Sequence, residues 1–134
     1  MSTPKKPPLD QDLVEAIVKA AHRDLGRVEE LLAEEPGLAN ACWDRGGGDW
    51  ETPLGGASHT GQKEIARCLL ANGARMDIFC AAMLGKIDIV SACLRDDPGV
   101  VRLKGPHGIS LLAHAEAGNQ RQVAALIESC AAAE

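Results

Sequence analysis

One stretch, Glu51 to Asp77, constrains the fold of this chain more than any other part of it. Thr52 offers a hydroxyl that can accept a hydrogen bond from the free amides of a helix start, and Pro53 suits the first helical position. Gly61 follows about two turns later. These residues predict a short helix that begins at Pro53 and ends before Gly61.

A second short helix is predicted directly afterwards, from about Gln62 to Asn72. Ile65, Cys68 and Leu69 fall on one face of it at helical spacing, and Gly73 is free to adopt the left-handed conformation that ends a helix. Two short helices bury too little surface to be stable alone. We therefore expect similar helix pairs to stack beside this one.

The order of residues in this stretch resembles an ankyrin repeat, which reads Thr-Pro-Leu-His, small residues, Gly, an apolar helix and Gly-Ala. The resemblance covers roughly Asp10 to Ala131, and it implies an all-α fold. That fold would be an ankyrin-type α-solenoid of stacked helix-turn-helix repeats, with short or missing β-hairpin fingers. Gly55 stands where the family usually has His, so the hydrogen bonds of that imidazole should be absent.

Four repeats are expected after a leader at residues 1–9, and together they form one domain at residues 10–132. The repeats are placed at about residues 10–39, 40–73, 74–99 and 100–132. Further helices are predicted to start at Asp10 or Asp12 and to span residues 24–34, 78–85, 88–96, 110–117 and 120–131. In the fourth repeat the register is open by one residue, because Ser110 and Gly118 lie one step closer together than Thr52 and Gly61.

The connections between repeats differ in length. Residues 40–49 contain three consecutive glycines and favour no helix, so we expect a lengthened finger there. The connection before Ile78 is short, which should leave a notch beside that finger.

Composition excludes several classes of function. The net charge of −5 and the pI near 5.3 argue against nucleic-acid binding, which needs clustered Lys and Arg. No apolar run approaches the roughly 20 residues of a membrane span, and residues 1–9 lack the apolar core of a signal peptide. Five cysteines without a C-x-x-C pair favour reduced thiols. We therefore expect a soluble, cytoplasmic protein.

The residues that could carry chemistry give no strong catalytic or metal signal. None of the four histidines forms a His-x-x-x-His pair, and His59 and His114 are expected to be two repeats apart. Cys42 has no predicted base beside it, and residues 46–48 lack the Gly-Lys-Ser/Thr ending of a phosphate loop. We predict no metal, no cofactor and structural or solvated histidines.

Trp43 and Trp50 are the most informative candidates, because both flank the long finger in a chain with few aromatics. An exposed Trp is a common binding anchor. The alternative is that either ring folds back onto the helices. Trp50 is expected to be the more structural of the two, because it lies just before the Thr52 cap.

The resemblance implies a non-catalytic adaptor, or a regulator that sequesters a partner, binding another protein through finger tips and the inner-helix face. By position the binding residues would be Trp43, Asp44, Arg45, Asp49, Trp50, His59, Met83 and His107. One alternative is a small-molecule-binding or hydrolytic protein that uses the notch, with His59 or His107 as acid or base. A monomer is expected, with pairing through the N-terminal end as the alternative if Val14 and Val18 are exposed.

Overall fold

A computed structural model describes residues 5–133 of the chain, and these residues are mostly helical. The helices are α1 (Gln11–Ala20), α2 (Leu25–Glu34), α3 (Pro53–His59), α4 (Lys63–Ala71), α5 (Ile78–Leu84), α6 (Ile87–Asp96), α7 (Leu111–Ala117) and α8 (Arg121–Ala133). Strands β1 (Trp43–Asp44) and β2 (Trp50–Glu51) form an antiparallel hairpin. Short 3-10 segments span Pro36–Asn40, Pro98–Arg102 and Pro106–Gly108. The all-α class is confirmed at the level of secondary structure.

The expected leader lies partly outside this description. Residues 1–4 are not among the described residues, and residues 5–10 carry no regular secondary structure. Leu9 packs against the core, so ordered contacts begin one residue before the predicted start of the first helix pair.

The helix starts follow the capping residues that the sequence offers. The side chains of five residues accept a hydrogen bond from an amide two or three positions further on: Asp10, Asp24, Thr52, Asp77 and Ser110. Asp10 rather than Asp12 caps α1. Each cap satisfies one of the free amides at a helix start, which fixes where the helix begins.

The open register of the last helix pair is settled by Asn119. Gly61, after α3, has φ 71°, and Asn119, after α7, has φ 56°. Asn tolerates this left-handed conformation better than most residues do. Asn119 therefore takes the turn position of Gly61, and Ser110 lies at the same distance before it as Thr52 lies before Gly61.

The eight helices form four consecutive pairs: α1 packs against α2, α3 against α4, α5 against α6 and α7 against α8. The first helices of the pairs also contact one another in order, α1 with α3, α3 with α5 and α5 with α7. Among the second helices, α2 contacts α4 and α6 contacts α8. No helix within residues 5–133 is both long and apolar enough to cross a membrane.

The buried side chains fall into two clusters. One joins α1 to α4 with Cys80 and Met83 of α5, and the other joins α5 to α8. Val14 and Val18 are buried, which removes the basis for pairing through an exposed N-terminal face. Cys68 and Cys93 are half-buried, and Cys80 is the fully buried thiol.

The lengthened finger is a hairpin in which Trp43 lies opposite Glu51 and Asp44 lies opposite Trp50. Trp43 is partly buried and packs against the first core cluster, whereas Trp50 is 57% exposed. The expectation that Trp50 is the more structural ring is therefore wrong. Neighbouring residues of a strand point to opposite faces, so Trp50 points out because Glu51 points in.

Candidate functional site

The site centres on Glu51, a fully buried carboxylate at the end of β2. Both of its oxygens are surrounded by nitrogen atoms. Oε2 lies 2.8 Å from His59 Nε2 and 3.2 Å from His22 Nε2. Oε1 lies 3.1 Å from Arg45 Nη1 and 3.3 Å from His107 Nε2. We call these five residues the Glu51 cluster.

The members of the cluster come from four separate parts of the fold. His22 lies in the turn between α1 and α2, and His59 is the last residue of α3. Arg45 lies in the hairpin loop, and His107 lies in the turn before α7. The cluster therefore joins the hairpin to the first, second and fourth helix pairs.

Two of the imidazole rings are oriented by a second hydrogen bond. His22 Nδ1 lies 2.7 Å from the carbonyl oxygen of Val18, to which it donates. His107 Nδ1 lies 3.1 Å from Asp49 Oδ2, and the His107 amide donates to Asp49 Oδ1 at 2.9 Å. Both rings consequently present Nε2 to Glu51.

The pKa values of Glu51, His22 and Asp49 are shifted by hydrogen bonds with their neighbours. Burial disfavours ionisation of Glu51, but the hydrogen bonds and the positive charges of His22 and His59 together outweigh burial and hold the pKa of this carboxyl far below its usual range. The hydrogen bond to Glu51 raises the pKa of His22. The hydrogen bond from the His107 amide lowers the pKa of Asp49.

The orientation of His22 has a chemical consequence. Because Nδ1 carries the proton that it donates to Val18, a neutral His22 has only a lone pair at Nε2. That lone pair would face Glu51 Oε2 at 3.2 Å and His59 Nε2 at 3.1 Å. A proton or another cation between these atoms makes the contact favourable. His22, Glu51, His59 and His107 each offer one ligand atom, and all four atoms lie within 4.8 Å of one another, so these residues could hold a metal.

Gly56 in α3 makes room for the His22 ring. A β-carbon at this position would lie 2.9 Å from His22 Cε1 and 3.3 Å from the carbonyl oxygen of Val18. Such contacts are shorter than van der Waals separation. Glycine at position 56 therefore belongs to the site, although it weakens the helix that contains it.

A groove lies against the hairpin, and its lining also includes Asp77 and Phe79 at the start of α5. Its volume is about 160 Å³. It is lined by Gly48, Asp49, Trp50, Thr52, Gly55, Asp77, Phe79, Lys104, Gly105 and Pro106. Asp49 takes part in both features, since it lines the groove and also holds His107.

The structure distributes the sequence-predicted binding residues unevenly. Arg45, His59 and His107 belong to the Glu51 cluster, and Asp49 adjoins it. Asp44 is exposed and accepts hydrogen bonds from two glycine amides of its own loop. Met83 is fully buried in the core, so its expected place on the binding surface is wrong.

The structure brings three of the four histidines together, which their spacing in the sequence did not predict. His22, His59 and His107 converge on Glu51, while His114 is buried elsewhere. Sequence reasoning missed Glu51 and His22 altogether. One signal was available: the Gly55-Gly56 pair within a short helix indicates that another group approaches α3 closely.

No protein-family model matches this sequence, and no curated protein matches it either.

Proposed function

We propose that this chain is a cytoplasmic, non-catalytic protein-interaction module of the ankyrin type. Four helix pairs of similar design support this proposal, because their first helices contact one another in series, as stacked repeats require. The Thr52-Pro53 start and the Gly61 turn of the second pair add the sequence resemblance.

The observation that carries the binding function is Trp50, which is 57% exposed at the wall of the groove. Large exposed apolar side chains are few in the described residues, the others being Ile89 and Leu103. Trp is among the residues most enriched at binding hot spots, because a flat ring buries much area at little entropic cost. Trp50 with Phe79 and Pro106 forms an apolar face that a partner side chain can cover.

The size and charge of the groove favour one kind of partner. At about 160 Å³ it is smaller than the roughly 300–1,000 Å³ of a typical small-molecule site, and it fits one aliphatic side chain. Asp49 and Asp77 line it together with Lys104, so carboxylates outnumber the ammonium group, and the chain as a whole carries a charge of −5. We therefore propose an extended protein segment with a Leu- or Met-sized anchor beside basic residues.

The alternative of a small-molecule-binding or hydrolytic protein finds less support. Neither His59 nor His107 is among the residues that line the groove, and both are engaged with carboxylates. Neither histidine that this alternative needs as acid or base is therefore placed to act on a molecule in the groove.

The test compares Trp50→Ala with Ile89→Ala, which truncates another exposed apolar residue, on α6. Purified variants with matching thermal melts are used to capture partners from native cytosol, and a photo-crosslinker placed at each position labels what touches it. We expect one stoichiometric protein that crosslinks from position 50, survives Ile89→Ala and is lost with Trp50→Ala. Trp43 and Arg45 are unsuitable targets, because Trp43 packs in the core and Arg45 pairs with Glu51.

Two results would contradict the proposal. Capture that is unaffected by Trp50→Ala would remove the groove as the binding surface. A small molecule that raises the melting temperature of the wild-type chain, but not of Trp50→Ala, would favour the small-molecule alternative.

A further inference from the structure

We propose that the Glu51 cluster is a binding site for one divalent cation of the zinc class, independent of the protein partner. Three ligand atoms form one face of a tetrahedral site: His22 Nε2, His59 Nε2 and Glu51 Oε2. We assign His107 as the fourth ligand; its Nε2 lies 3.3 Å from the other carboxylate oxygen of Glu51, Oε1.

The spacing of the three face atoms matches a tetrahedral metal. They are separated by 2.8 Å, 3.1 Å and 3.2 Å. Ligands about 2.0–2.1 Å from zinc lie roughly 3.3 Å from one another in a tetrahedron. All four ligand atoms lie within 4.8 Å of one another, so no pair has to close by more than roughly 1.5 Å when the metal binds.

The hydrogen bonds behind the ligands are those that metal-binding histidines usually have. A ligating imidazole commonly donates its second N–H to a backbone carbonyl or a carboxylate, which fixes the tautomer and the direction of the ring. His22 donates to the Val18 carbonyl at 2.7 Å, and His107 pairs with Asp49 at 3.1 Å. Partners of this kind are present for two of the three imidazoles before any metal is bound.

Local backbone geometry also serves the site. His107 has φ 61° and ψ 22°, a left-handed conformation that is uncommon outside glycine. The Asp49 carboxylate holds it there through the His107 amide. Such strain persists where the surrounding structure enforces it, and here it directs Nε2 of His107 toward Glu51.

The ligand set selects the class of metal. Three imidazoles suit Zn²⁺ and neighbouring transition metals, whereas Ca²⁺ and Mg²⁺ need a set made mainly of oxygens. Four protein ligands fill a tetrahedral zinc site, which is typical of structural rather than catalytic zinc. Because the ligands come from the hairpin and three helix pairs, the metal would fasten these segments together.

Arg45 gives the proposal a distinctive consequence. Its guanidinium lies 3.1 Å from Glu51 Oε1, so it shares the carboxylate with the metal and repels the added positive charge. Arg45→Gln removes that repulsion and leaves all four ligands in place. We expect the variant to bind metal more tightly than the wild-type chain, although its metal-free form is less stable.

The experiment uses the full chain without a histidine tag, freed of metal by a chelator. Zn²⁺ is titrated by calorimetry, and Co²⁺ is titrated by visible absorption, where four-coordinate Co²⁺ gives intense bands. We expect one equivalent to bind, and His22→Gln and His59→Gln each to weaken binding at least tenfold. His114→Asn and Cys42→Ser are the matched controls, since they change a buried histidine and an exposed thiol outside the cluster.

The outcomes separate the proposal from its rivals. Tighter binding by Arg45→Gln together with weaker binding by both histidine variants, all with cooperative melts, supports the site. Equal binding by wild type and His59→Gln overturns it, as does loss of binding in Cys42→Ser, which would place the metal on a thiol. Failure of the wild-type chain to bind Zn²⁺ or Co²⁺ at micromolar concentrations also overturns it, and the cluster is then a proton-bridged network.

Discussion

At the scale of single residues, Glu51 organises its surroundings because a buried carboxylate is costly unless it is paired. Removing an ionised group from water costs several kcal/mol, which only close, well-aligned partners repay. Arg45 supplies a permanent positive charge, and the imidazoles of His22 and His59 supply hydrogen bonds. The hairpin is therefore held in place by polar contacts around one inward-pointing side chain.

His114 shows the opposite electrostatic situation, and it predicts a pH effect. The ring is fully buried, Nδ1 lies 2.7 Å from the Ser110 carbonyl, and Nε2 has no hydrogen-bond partner among the described residues. Burial lowers the pKa of His114 below its usual value of 6.5, and the hydrogen bond to the Ser110 carbonyl and the charge of Asp77 oppose this only in part. Below about pH 6.5 the unfolded chain therefore takes up a proton that the folded chain does not, so the free energy of unfolding falls as the pH decreases.

The variant His114→Asn isolates this contribution, because the amide can keep a bond to Ser110 and does not titrate. We expect the stability of the wild type relative to the variant to decrease between about pH 7 and pH 5, as measured by urea unfolding. The raised pKa of His22 gives a trend of the opposite sign, with stability lost as the pH rises, but it is present in both proteins and cancels in the difference. A difference that does not change with pH would contradict the prediction.

At the scale of secondary-structure elements, α3 is the helix with the weakest intrinsic propensity, since it contains Gly55 and Gly56 in seven residues. Replacing Gly56 by Ala would normally stabilise a helix by up to about 1 kcal/mol. Here the added β-carbon would lie 2.9 Å from His22 Cε1 and 3.3 Å from the Val18 backbone. We expect Gly56→Ala to destabilise the fold by about 1–3 kcal/mol in urea unfolding.

Gly26 in α2 provides the matched control. A β-carbon there would meet nothing closer than 3.7 Å, and the residue lies inside a helix. Gly26→Ala should therefore stabilise the chain by up to about 1 kcal/mol. If both substitutions shift the unfolding midpoint in the same direction, crowding by His22 is not what maintains Gly56.

The same elements show how far the sequence alone reaches. Local chemistry was sufficient for the helix starts at Asp24, Thr52 and Ser110, because a cap acts within three residues. The hairpin was expected from the resemblance to ankyrin repeats, because residues 40–49 disfavour a helix where that family has a finger. Trp50 and Glu51 point to opposite faces of β2, but a two-residue strand is too short for this alternation to be recognised in the sequence.

What the sequence did not reveal is which distant side chains meet. His22 and His59 are separated by 37 residues, and Asp49 and His107 by 58. The periodicity of apolar residues assigns a residue to a face of its own helix. Which side chains meet across helix pairs depends instead on how one helix pair is rotated against the next. Lone histidines without short spacing therefore gave no indication of the cluster that they form.

At the scale of the whole molecule, polar side chains link helix pairs that are distant in sequence. Asn40 donates to the Gly73 carbonyl at 2.8 Å and accepts from the Arg75 amide at 2.9 Å, which ties the end of the first pair to the end of the second. Asp49 ties the hairpin to the turn before α7 through both the amide and the ring of His107. The Asn40 link joins two segments of the first apolar cluster, whereas the Asp49 link joins the hairpin to the fourth helix pair.

The last prediction concerns this link between the hairpin and the fourth helix pair. Asp49→Ala removes both contacts to His107, so we expect faster amide hydrogen exchange in residues 45–50 and 105–108, while α8 exchanges as in the wild type. Asp97→Ala is the control, because Asp97 accepts from the nearby Gly99 amide and the loss of this contact should act locally. Since Asp49 also lines the groove beside Trp50, partner capture should weaken together with the loss of protection. Unchanged exchange at residues 105–108 would mean that packing of Pro106, rather than the Asp49 carboxylate, positions this wall of the groove.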